Sequence, residues 1–333
     1  MPGCGGPGRG KSTTLPTRKI ISFKRGEKMR ILLIGQAAFG VKTLEKLLER
    51  GENIVAVYAP PDRKGKADPI KEAADARGIP VYQPTTYKDD QVFAQYRELR
   101  PDLTVLAFVT DIIPAKFFEA ATHGAICYHP SILPRHRGSS AINWAVIMGD
   151  TRTGLTIFFP DGGIDTGPMI LQKEIPIHPD DTTGSLYFNH LFPMGIDAIV
   201  ESIDLIKQGK APRIPQDESL ATYEPPCTDA VAGIDWSKSG QEIHNLVRGC
   251  DPQPGAFALF KGEKTRFFGC RFVPEPSSAA PGSILALDNQ GLHVAVSGGQ
   301  LVVAKVRSAA GGKVSAVEWA QEKGARAGDR FEV

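Results

Sequence analysis

Two segments of the chain carry side chains whose types suit acid–base chemistry. The first, Ile126–Trp144, reads ICYHPSILPRHRGSSAINW and contains His129 followed by several cationic side chains. The second, Asp161–Gln172, reads DGGIDTGPMILQ and contains the carboxylates of Asp161 and Asp165. A histidine and a carboxylate can together move a proton to or from a reacting group. These two segments are therefore the candidates for a catalytic site.

Each of these residues also has a purely structural explanation. A lone histidine beside a strand is often only a hydrogen-bonded part of the fold. An aspartate in the sequence Ile-Asp-Thr-Gly, as at Asp165, can simply form an Asx turn. From residue types alone, His129 and Asp165 are a modest candidate pair for acid–base work.

The elements that must position these segments follow the pattern of a parallel sheet with crossover helices. From Met29 onward, short apolar runs alternate with helix-period segments. The predicted strands are Arg30–Gly35, Asn53–Ala59, Leu103–Val109, Ala125–His129 and Leu155–Phe159. The predicted helices are Val41–Arg50, Pro69–Arg77, Asp89–Leu99, Pro114–Ala121, Ala141–Met148 and Thr183–Gln208. This pattern predicts an α/β fold with a Rossmann-like, mostly parallel sheet, and we expect both candidate segments to follow strand ends that face one crevice.

A dinucleotide cofactor is not expected, although the sheet is of Rossmann type. The first turn, Gly35–Gly40, reads GQAAFG rather than G-x-G-x-x-G, and Ala59-Pro60-Pro61 replaces the acidic residue expected after the second strand. A phosphate-loop pattern occurs at Gly5–Ser12, but it has no strand before it and no helix after it. We interpret that match as accidental and expect no NAD(P).

The domain organisation follows from where the pattern changes. Residues 1–28 are predicted to be a disordered extension, residues 29–211 a catalytic domain, residues 212–230 a proline-rich linker and residues 231–333 a smaller second domain. After a helix at Gln241–Arg248, the second domain shows short strands at Ala256–Phe260, Thr265–Phe272, Ser283–Leu287, His293–Val296 and Leu301–Val306. This series predicts a small β-barrel of the oligonucleotide-binding (OB) type.

Composition limits the class of protein. Hydrophobic residues make up 41% and charged residues 23% of 333 residues, as in ordinary globular proteins. No apolar run approaches the ~20 residues of a membrane span. The net charge of +2 does not predict nucleic-acid binding. The five cysteines show no C-x-x-C spacing and no metal-ligand cluster, so we expect a cytoplasmic protein without a bound metal.

In these residues the sequence resembles the formyltetrahydrofolate hydrolase and formyltransferase family. The resemblance is carried by His129–Trp144 and by G-I-D-T-G at Gly163–Gly167. Two further motifs, at Gly35–Gly40 and Gly65–Pro69, resemble those of the N-terminal hydrolase domain of 10-formyltetrahydrofolate dehydrogenases. Methionyl-tRNA formyltransferases are more distant relatives with the same two-domain plan. The resemblance covers nearly the whole chain after residue 28.

The resemblance implies that 10-formyltetrahydrofolate is the one-carbon donor and that its formyl group lies between His129 and Asp165. A histidine N–H can stabilise the tetrahedral oxyanion, while a carboxylate takes the proton of the attacking water or amine. Cys127 is the third predicted catalytic residue, at the position where the transferases have an asparagine. The pterin is expected beside Leu106–Ile112 and Pro160–Gly167. The predicted substrate-binding residues are Leu106, Phe108, Val109, Asp111, Ser131, Arg137, Gly138, Asp161 and Gly163.

The formyl acceptor is less defined by the sequence than the donor. The missing asparagine favours hydrolysis to formate and tetrahydrofolate. A transferase acting on an amino sugar, another small amine or methionyl-tRNA is the alternative. For tRNA, the segment Asp62–Pro69 is short, and residues 211–333 contain 13 basic and 14 acidic residues. A non-catalytic folate-binding module is a third possibility, although binding alone requires neither His129 nor Asp165. Oxidation of the formyl group to carbon dioxide is not expected from this chain alone, and the sequence does not indicate an oligomeric state.

Overall fold

The computed structural model describes residues 28–275, 277–308 and 311–332. The predicted extension and its phosphate-loop pattern lie outside the described residues, apart from Lys28. Among the residues that are described, no helix has the length and apolar character needed to cross a lipid bilayer.

The N-terminal domain is built on a seven-stranded sheet in the order β3-β2-β1-β4-β5-β6-β7. The strands are β1 Arg30–Gly35, β2 Asn53–Tyr58, β3 Val81–Tyr82, β4 Leu103–Ala107, β5 Ala125–His129, β6 Arg152–Phe158 and β7 Met169–Pro176. Strands β1 to β5 pair in parallel, whereas β6 is antiparallel to both β5 and β7. The predicted mostly parallel α/β sheet is confirmed, but the sequence pattern did not predict β3 or β7.

Helices cover the sheet and connect its strands. They are α1 Ala37–Glu49, α2 Pro69–Asp75, α3 Asp90–Glu98, α4 Ala115–Ala120, α5 Ala141–Ile147, α6 Thr183–Leu186 and α7 Phe192–Lys207. Helix α2 begins where the Asp68 side chain accepts a hydrogen bond from the Ile70 N–H, with Pro69 in the first helical position. The predicted helix over Thr183–Gln208 is present but contains a π-helical turn, Tyr187–Leu191, between α6 and α7.

The core lies on both faces of the sheet. Along β1, Ile31 and Leu33 pack in one apolar cluster with α1 and α7, while Leu32 and Ile34 pack in a second cluster with Tyr96 of α3. Successive strand residues point to opposite faces, so a strand covered on both sides is apolar throughout its length. The continuous run ILLI in β1 has this cause.

The C-terminal domain contains helices α8 Gly240–Gly249 and α9 Ala316–Lys323 and a second sheet. Its strands are β8 Phe257–Phe260, β9 Glu263–Val273, β10 Ile284–Asp288, β11 Gly291–Val296, β12 Gly299–Ser308 and β13 Val314–Ser315. The order is β10-β11-β12-β9-β8, with β13 beside β12, and the pairs are antiparallel. The chain's final segment bridges both edges, because Glu332 pairs with Leu259 and Arg330 pairs with Ser283. A separate antiparallel domain is thus confirmed, and its assignment to the OB type stays a prediction.

The two domains meet where α5 packs against α8. Asn143 Nδ2 donates to the Gly249 carbonyl at 2.8 Å, and Thr183 Oγ1 donates to the same oxygen at 2.7 Å. The buried Arg248 donates to the Asp181 carbonyl at 3.1 Å. The first two bonds satisfy the carbonyl of Gly249 at the end of α8, which lacks a partner within the helix, and the third ties α8 to the loop before α6. The linker between the domains has no strand and one short 3₁₀ turn at Glu218–Leu220.

Candidate active site

Strand β5 positions Cys127 and His129 on one face of the sheet. The two residues are two positions apart, so their side chains point to the same side. Cys127 lies opposite Leu106 on β4 and Phe158 on β6, and His129 lies opposite Thr156. His129 is buried and Cys127 is partly buried. The strand therefore places the two side chains on one face, and the catalytic role of Cys127 stays a prediction.

The ring of His129 has a fixed partner on each nitrogen. Nε2 lies 2.8 Å from the carbonyl oxygen of His136, and Nδ1 lies 3.4 Å from Oδ2 of Asp165. A carbonyl oxygen only accepts hydrogen bonds, so Nε2 carries a proton and donates it. The ring can therefore offer an N–H to an oxyanion only from Nδ1.

The route by which Asp165 reaches His129 differs from the predicted one. We expected the ends of β5 and β6 to meet at one crevice, as in a parallel pair. Strand β6 is antiparallel, however, and its last residue lies opposite Cys127 rather than beyond His129. Asp165 reaches the histidine because the following loop folds back, closed at its base by a 2.9 Å hydrogen bond from the Phe159 N–H to the Pro168 carbonyl.

Asp165 is held in a strained backbone conformation. Its φ of +55° lies in the left-handed region, which costs a non-glycine residue about 1–2 kcal/mol. The N–H of Gly138 donates to Asp165 Oδ2 at 2.8 Å, and Gln216 Nε2 donates to the Asp165 carbonyl at 2.8 Å. Gly138 itself has a φ of +107°, which favours glycine. Strain of this kind is concentrated at functional sites, where the surroundings hold it in place.

Cys127 faces this pair as a neutral thiol. Burial raises the pKa of the thiol well above its usual value, and the nearby Asp165 carboxylate raises it further. A thiol that keeps its proton is a poor nucleophile. Its Sγ donates weakly to the Tyr128 carbonyl at 3.7 Å. Cys127 can therefore act as packing or as a weak hydrogen-bond donor, and not as a thiolate.

Arg137 has a different role from the predicted contact with substrate. Its side chain is fully buried, and its five N–H groups are all used by the linker. Nη1 donates to Glu218 Oε2 at 2.9 Å and to the Tyr223 hydroxyl. Nη2 donates to Glu218 Oε1 at 2.7 Å and to Gln216 Oε1 at 2.8 Å, and Nε donates to Gln216 at 3.2 Å. No donor is left for a ligand, so we revise Arg137 to a residue that anchors the linker.

Three other predicted substrate-binding residues shape the two loops. Ser131 is buried, and its hydroxyl donates to the Arg135 carbonyl at 2.7 Å. Asp161 accepts from the Gly163 N–H at 2.9 Å and from Thr166 Oγ1 at 2.5 Å. A Cβ atom at Gly163 would lie 2.2 Å from that hydroxyl oxygen, so a larger residue would displace the Thr166 side chain from Asp161. These contacts stabilise the loops, and direct contact with a substrate stays a prediction.

The remaining predicted binding residues lie on β4 or directly after it. Leu106 is buried on β4, Val109 is partly buried and Asp111 is exposed. Phe108 has a φ of +62°, and its ring packs 6.3 Å from Phe39 and 5.9 Å from Tyr187, centroid to centroid. Both contacts belong to the cluster that contains α1, on the sheet face opposite to the one that holds Leu106. Their role in binding also stays a prediction.

Sequence reasoning missed two residues that hold the site. His136, with a φ of +56°, provides the carbonyl that orients His129, and its ring lies 2.9 Å from Asp150 and 3.3 Å from Glu224. Gln216 provides the contact from the linker to Asp165. The loop around His136 was recognised as polar, but no sequence signal distinguishes Gln216 from other linker residues.

Within the described ranges, no group of three or more His, Cys, Asp or Glu side chains is placed to hold a metal ion.

Comparison with known proteins places this geometry in a family. Residues 28–200 match the formyl transferase family, and residues 227–324 match the formyl transferase C-terminal domain. The chain is 43% identical to a human mitochondrial 10-formyltetrahydrofolate dehydrogenase over 78% of its own length and 28% of that protein. It is 39% identical to a methionyl-tRNA formyltransferase of Geotalea uraniireducens over 84% of its own length and 90% of that protein.

Solved structures show the same fold at low sequence identity. An N-formyltransferase from Helicobacter canadensis, in complex with folinic acid and dTDP-3-aminofucose, superimposes with a TM-score of 0.64 at 19% identity. The alignment covers 83% of this chain and 98% of that one. The chain spans little more than a quarter of the length of the human dehydrogenase, so it corresponds to a part of that protein.

Proposed function

Because the chain belongs to the formyl transferase family, we propose that it removes the formyl group of 10-formyltetrahydrofolate and passes it to water, giving formate and tetrahydrofolate. The observation that carries this proposal is the convergence of Asp165, the His129 ring and the Cys127 thiol on one side of β5. His129 and Asp165 supply the acid–base chemistry. Cys127 has a thiol at the position where an asparagine amide would favour an amine as the acceptor.

In the proposed reaction, Asp165 is the general base. Within the described part of the chain, its Oδ2 accepts from the Gly138 N–H and lies 3.4 Å from His129 Nδ1, whereas Oδ1 accepts no hydrogen bond. Oδ1 orients a water molecule and takes its proton as the water oxygen attacks the formyl carbon. General-base catalysis of this kind contributes roughly 10²–10⁴-fold to the rate.

His129 stabilises the charge that develops on the formyl oxygen. With Nε2 committed to the His136 carbonyl, the proton on Nδ1 is the one available for the tetrahedral oxyanion. The intermediate then collapses, the bond from the formyl carbon to N10 breaks, and N10 leaves with the proton that Asp165 took from the water. Formate and tetrahydrofolate are the products, and neither step changes an oxidation state.

Transfer to an amine is the second candidate, and one observation favours it. The match to the methionyl-tRNA formyltransferase spans both domains and 90% of that protein. In that reaction an amine would attack in place of water, with the same base and the same oxyanion donor. The balance of 13 basic and 14 acidic residues from 211 onward supports a small amine over tRNA.

One assay tests both candidates. The purified protein is incubated with 10-formyltetrahydrofolate, and tetrahydrofolate and formate are measured with and without amino sugars, amino acids or methionyl-tRNA. Hydrolysis predicts equal amounts of formate and tetrahydrofolate in the absence of an amine. If tetrahydrofolate appeared only together with a formylated amine, the reaction would be transfer and not hydrolysis. A cytoplasmic location is also part of the proposal and can be tested by fractionation, since one human relative is named as cytosolic and another as mitochondrial.

A further inference from the structure

The side chain of Gln216 bridges the linker and the catalytic loop. Its Nε2 donates to the carbonyl oxygens of Asp165 and Gly167, both at 2.8 Å. Its Oε1 accepts from Nη2 and Nε of Arg137 at 2.8 and 3.2 Å. Both donor hydrogens and both acceptor sites of the amide are therefore used. The partners fix the amide orientation, because only the oxygen can face the guanidinium and only the nitrogen can face two carbonyls.

We propose that Gln216 is a positioning residue for the reaction, which holds the backbone of Asp165 so that its carboxylate faces His129. The inference rests on the proposed function insofar as Asp165 is the base. Asp165 adopts a left-handed conformation, which is uncommon outside glycine and which hydrogen bonds to its own residue help to hold. The Gln216 amide fixes the Asp165 carbonyl, and therefore the rotation of the peptide that follows Asp165. The Gly138 N–H fixes the carboxylate of the same residue.

Arg137 and the backbone make Gln216 a firm support rather than a mobile surface residue. Pro215 and Asp217 on either side are exposed, whereas Gln216 is partly buried. On one side, Ile214 exchanges two backbone hydrogen bonds with Met169 of β7, at 2.8 and 3.0 Å. On the other side, the Thr222 carbonyl accepts from the Arg137 N–H at 3.1 Å. The linker is thus fastened to the catalytic domain on both sides of Gln216.

The test is Gln216→Glu, which keeps the size of the side chain and the acceptor that faces Arg137. It replaces the donor by an oxygen that faces two carbonyl oxygens. The Asp165 loop must then shift, and misplacing a catalytic group by about 1 Å can lower a rate roughly 10²-fold. We expect kcat at saturating 10-formyltetrahydrofolate to fall at least about 10-fold, because the altered contacts displace the base.

Glu218→Gln is the matched control. It replaces one carboxylate oxygen by an amide nitrogen, the reverse of the change in Gln216→Glu. Glu218 is a second linker residue that contacts Arg137 but not Asp165. We expect its kcat to stay within about twofold of the unmodified protein. Equal losses in Gln216→Glu and Glu218→Gln would mean that only the Arg137 anchor matters, and they would overturn the inference.

Hydrogen exchange at the Gly138 amide gives a readout that does not need turnover. That N–H donates to Asp165 Oδ2, so its exchange should be faster in Gln216→Glu and unchanged in Glu218→Gln. Normal exchange at Gly138 in Gln216→Glu, or normal kcat despite faster exchange, would refute the positioning role. If the unmodified protein does not turn over 10-formyltetrahydrofolate, the proposed function fails, while the exchange still decides this inference. Gln216→Met, which removes the same donors without adding charge, replaces Gln216→Glu in both measurements if that variant does not fold.

Discussion

The Nε2 atom of His129 donates to the carbonyl oxygen of His136, at 2.8 Å. This hydrogen bond fixes the plane of the His129 ring and uses the proton on Nε2, so only Nδ1 faces the site. His136 is itself held in place. Its ring lies 2.9 Å from Asp150, and its backbone N–H donates to Thr222 Oγ1 at 2.8 Å. The orientation of the acid–base pair therefore depends on a loop and on the linker together.

Asp165→Asn should lower turnover roughly 10²–10⁴-fold, or about 3–5 kcal/mol of barrier, because the amide cannot take a proton. Affinity for folate should be preserved, since the amide oxygen can still accept from the Gly138 N–H. The measurements are kcat at saturating 10-formyltetrahydrofolate and the Kd of a non-reacting folate. Asp161→Asn in the same loop is the comparison and should cost far less, because Asp161 bonds to its own loop. Near-normal turnover of Asp165→Asn in a folded protein would rule out the proposed base.

His129→Ala should give a loss comparable to that of Asp165→Asn, since it removes the donor to the oxyanion. The double variant should fall short of the product of the two single losses, because both residues act on one transition state across a 3.4 Å contact. The four kcat values, measured under one condition, give the coupling directly. Strictly multiplicative losses would show that the two residues act independently.

Cys127→Asn should raise the ratio of amine formylation to hydrolysis, because it places an amide donor beside the pair. The ratio of formylated amine to formate, measured with one amine at fixed concentration, reports this change. Cys127→Ala is the control, which removes the thiol without adding a donor and should leave the ratio near that of the unmodified protein. An unchanged ratio in Cys127→Asn would mean that this position only packs.

His244 should make the stability of the protein depend on pH. Its side chain is buried, Nε2 donates to the Cys270 carbonyl at 3.1 Å, and burial lowers the pKa below the ordinary 6.5. Below pH 6.5 the unfolded chain binds a proton that the folded protein does not. The free energy of unfolding therefore has its full value above that pH and falls as the pH drops towards the folded pKa.

His244→Gln should reduce that loss, since glutamine stays neutral and can still donate to the Cys270 carbonyl. The measurement is Tm between about pH 5 and pH 7.5 for both proteins. His190→Gln, the same substitution at an exposed histidine, should retain the slope of the unmodified protein. Equal slopes for all three proteins would show that His244 does not contribute.

Binding of initiator tRNA should be weak and should disappear at physiological salt. Phosphate contacts require a surplus of cations, and residues 211–333 carry 13 basic against 14 acidic residues. Titration at two salt concentrations measures this directly. A complex of micromolar or tighter affinity that persists at about 0.15 M salt would favour tRNA as the acceptor.

The sequence predicted the sheet and the strand that carries His129, because these depend on local patterns, whereas the catalytic roles of His129 and Asp165 stay predictions. Apolar runs identify β1, β2, β4 and β5, and the motif around His129 is long. It did not predict the direction of β6, since an apolar run has the same pattern in a parallel and an antiparallel pair. Asp165 was therefore assigned correctly to the neighbourhood of His129 but by the wrong route.

The remaining differences arise from contacts distant in sequence. Arg137 reads as a surface cation, and its burial follows from side chains more than 75 residues later in the chain. Phe108 reads as a strand residue, and its left-handed φ lets its ring pack on the opposite side of the sheet. Gln216 lies in a segment without apolar periodicity, so no local rule could assign it a partner.

The bridges from Glu332 and Arg330 to the two sides of the C-terminal sheet have a consequence for solubility. Without them, Leu259 of β8 and Ile284 of β10 would lose their backbone partners at the two edges, and unpaired edge groups recruit strands from other molecules. The last residues of the described chain thus protect the domain from edge-to-edge association. Removing the segment after Gly328 would be expected to cause self-association, because it frees both edges of the sheet and also removes the buried ring of Phe331 from the core.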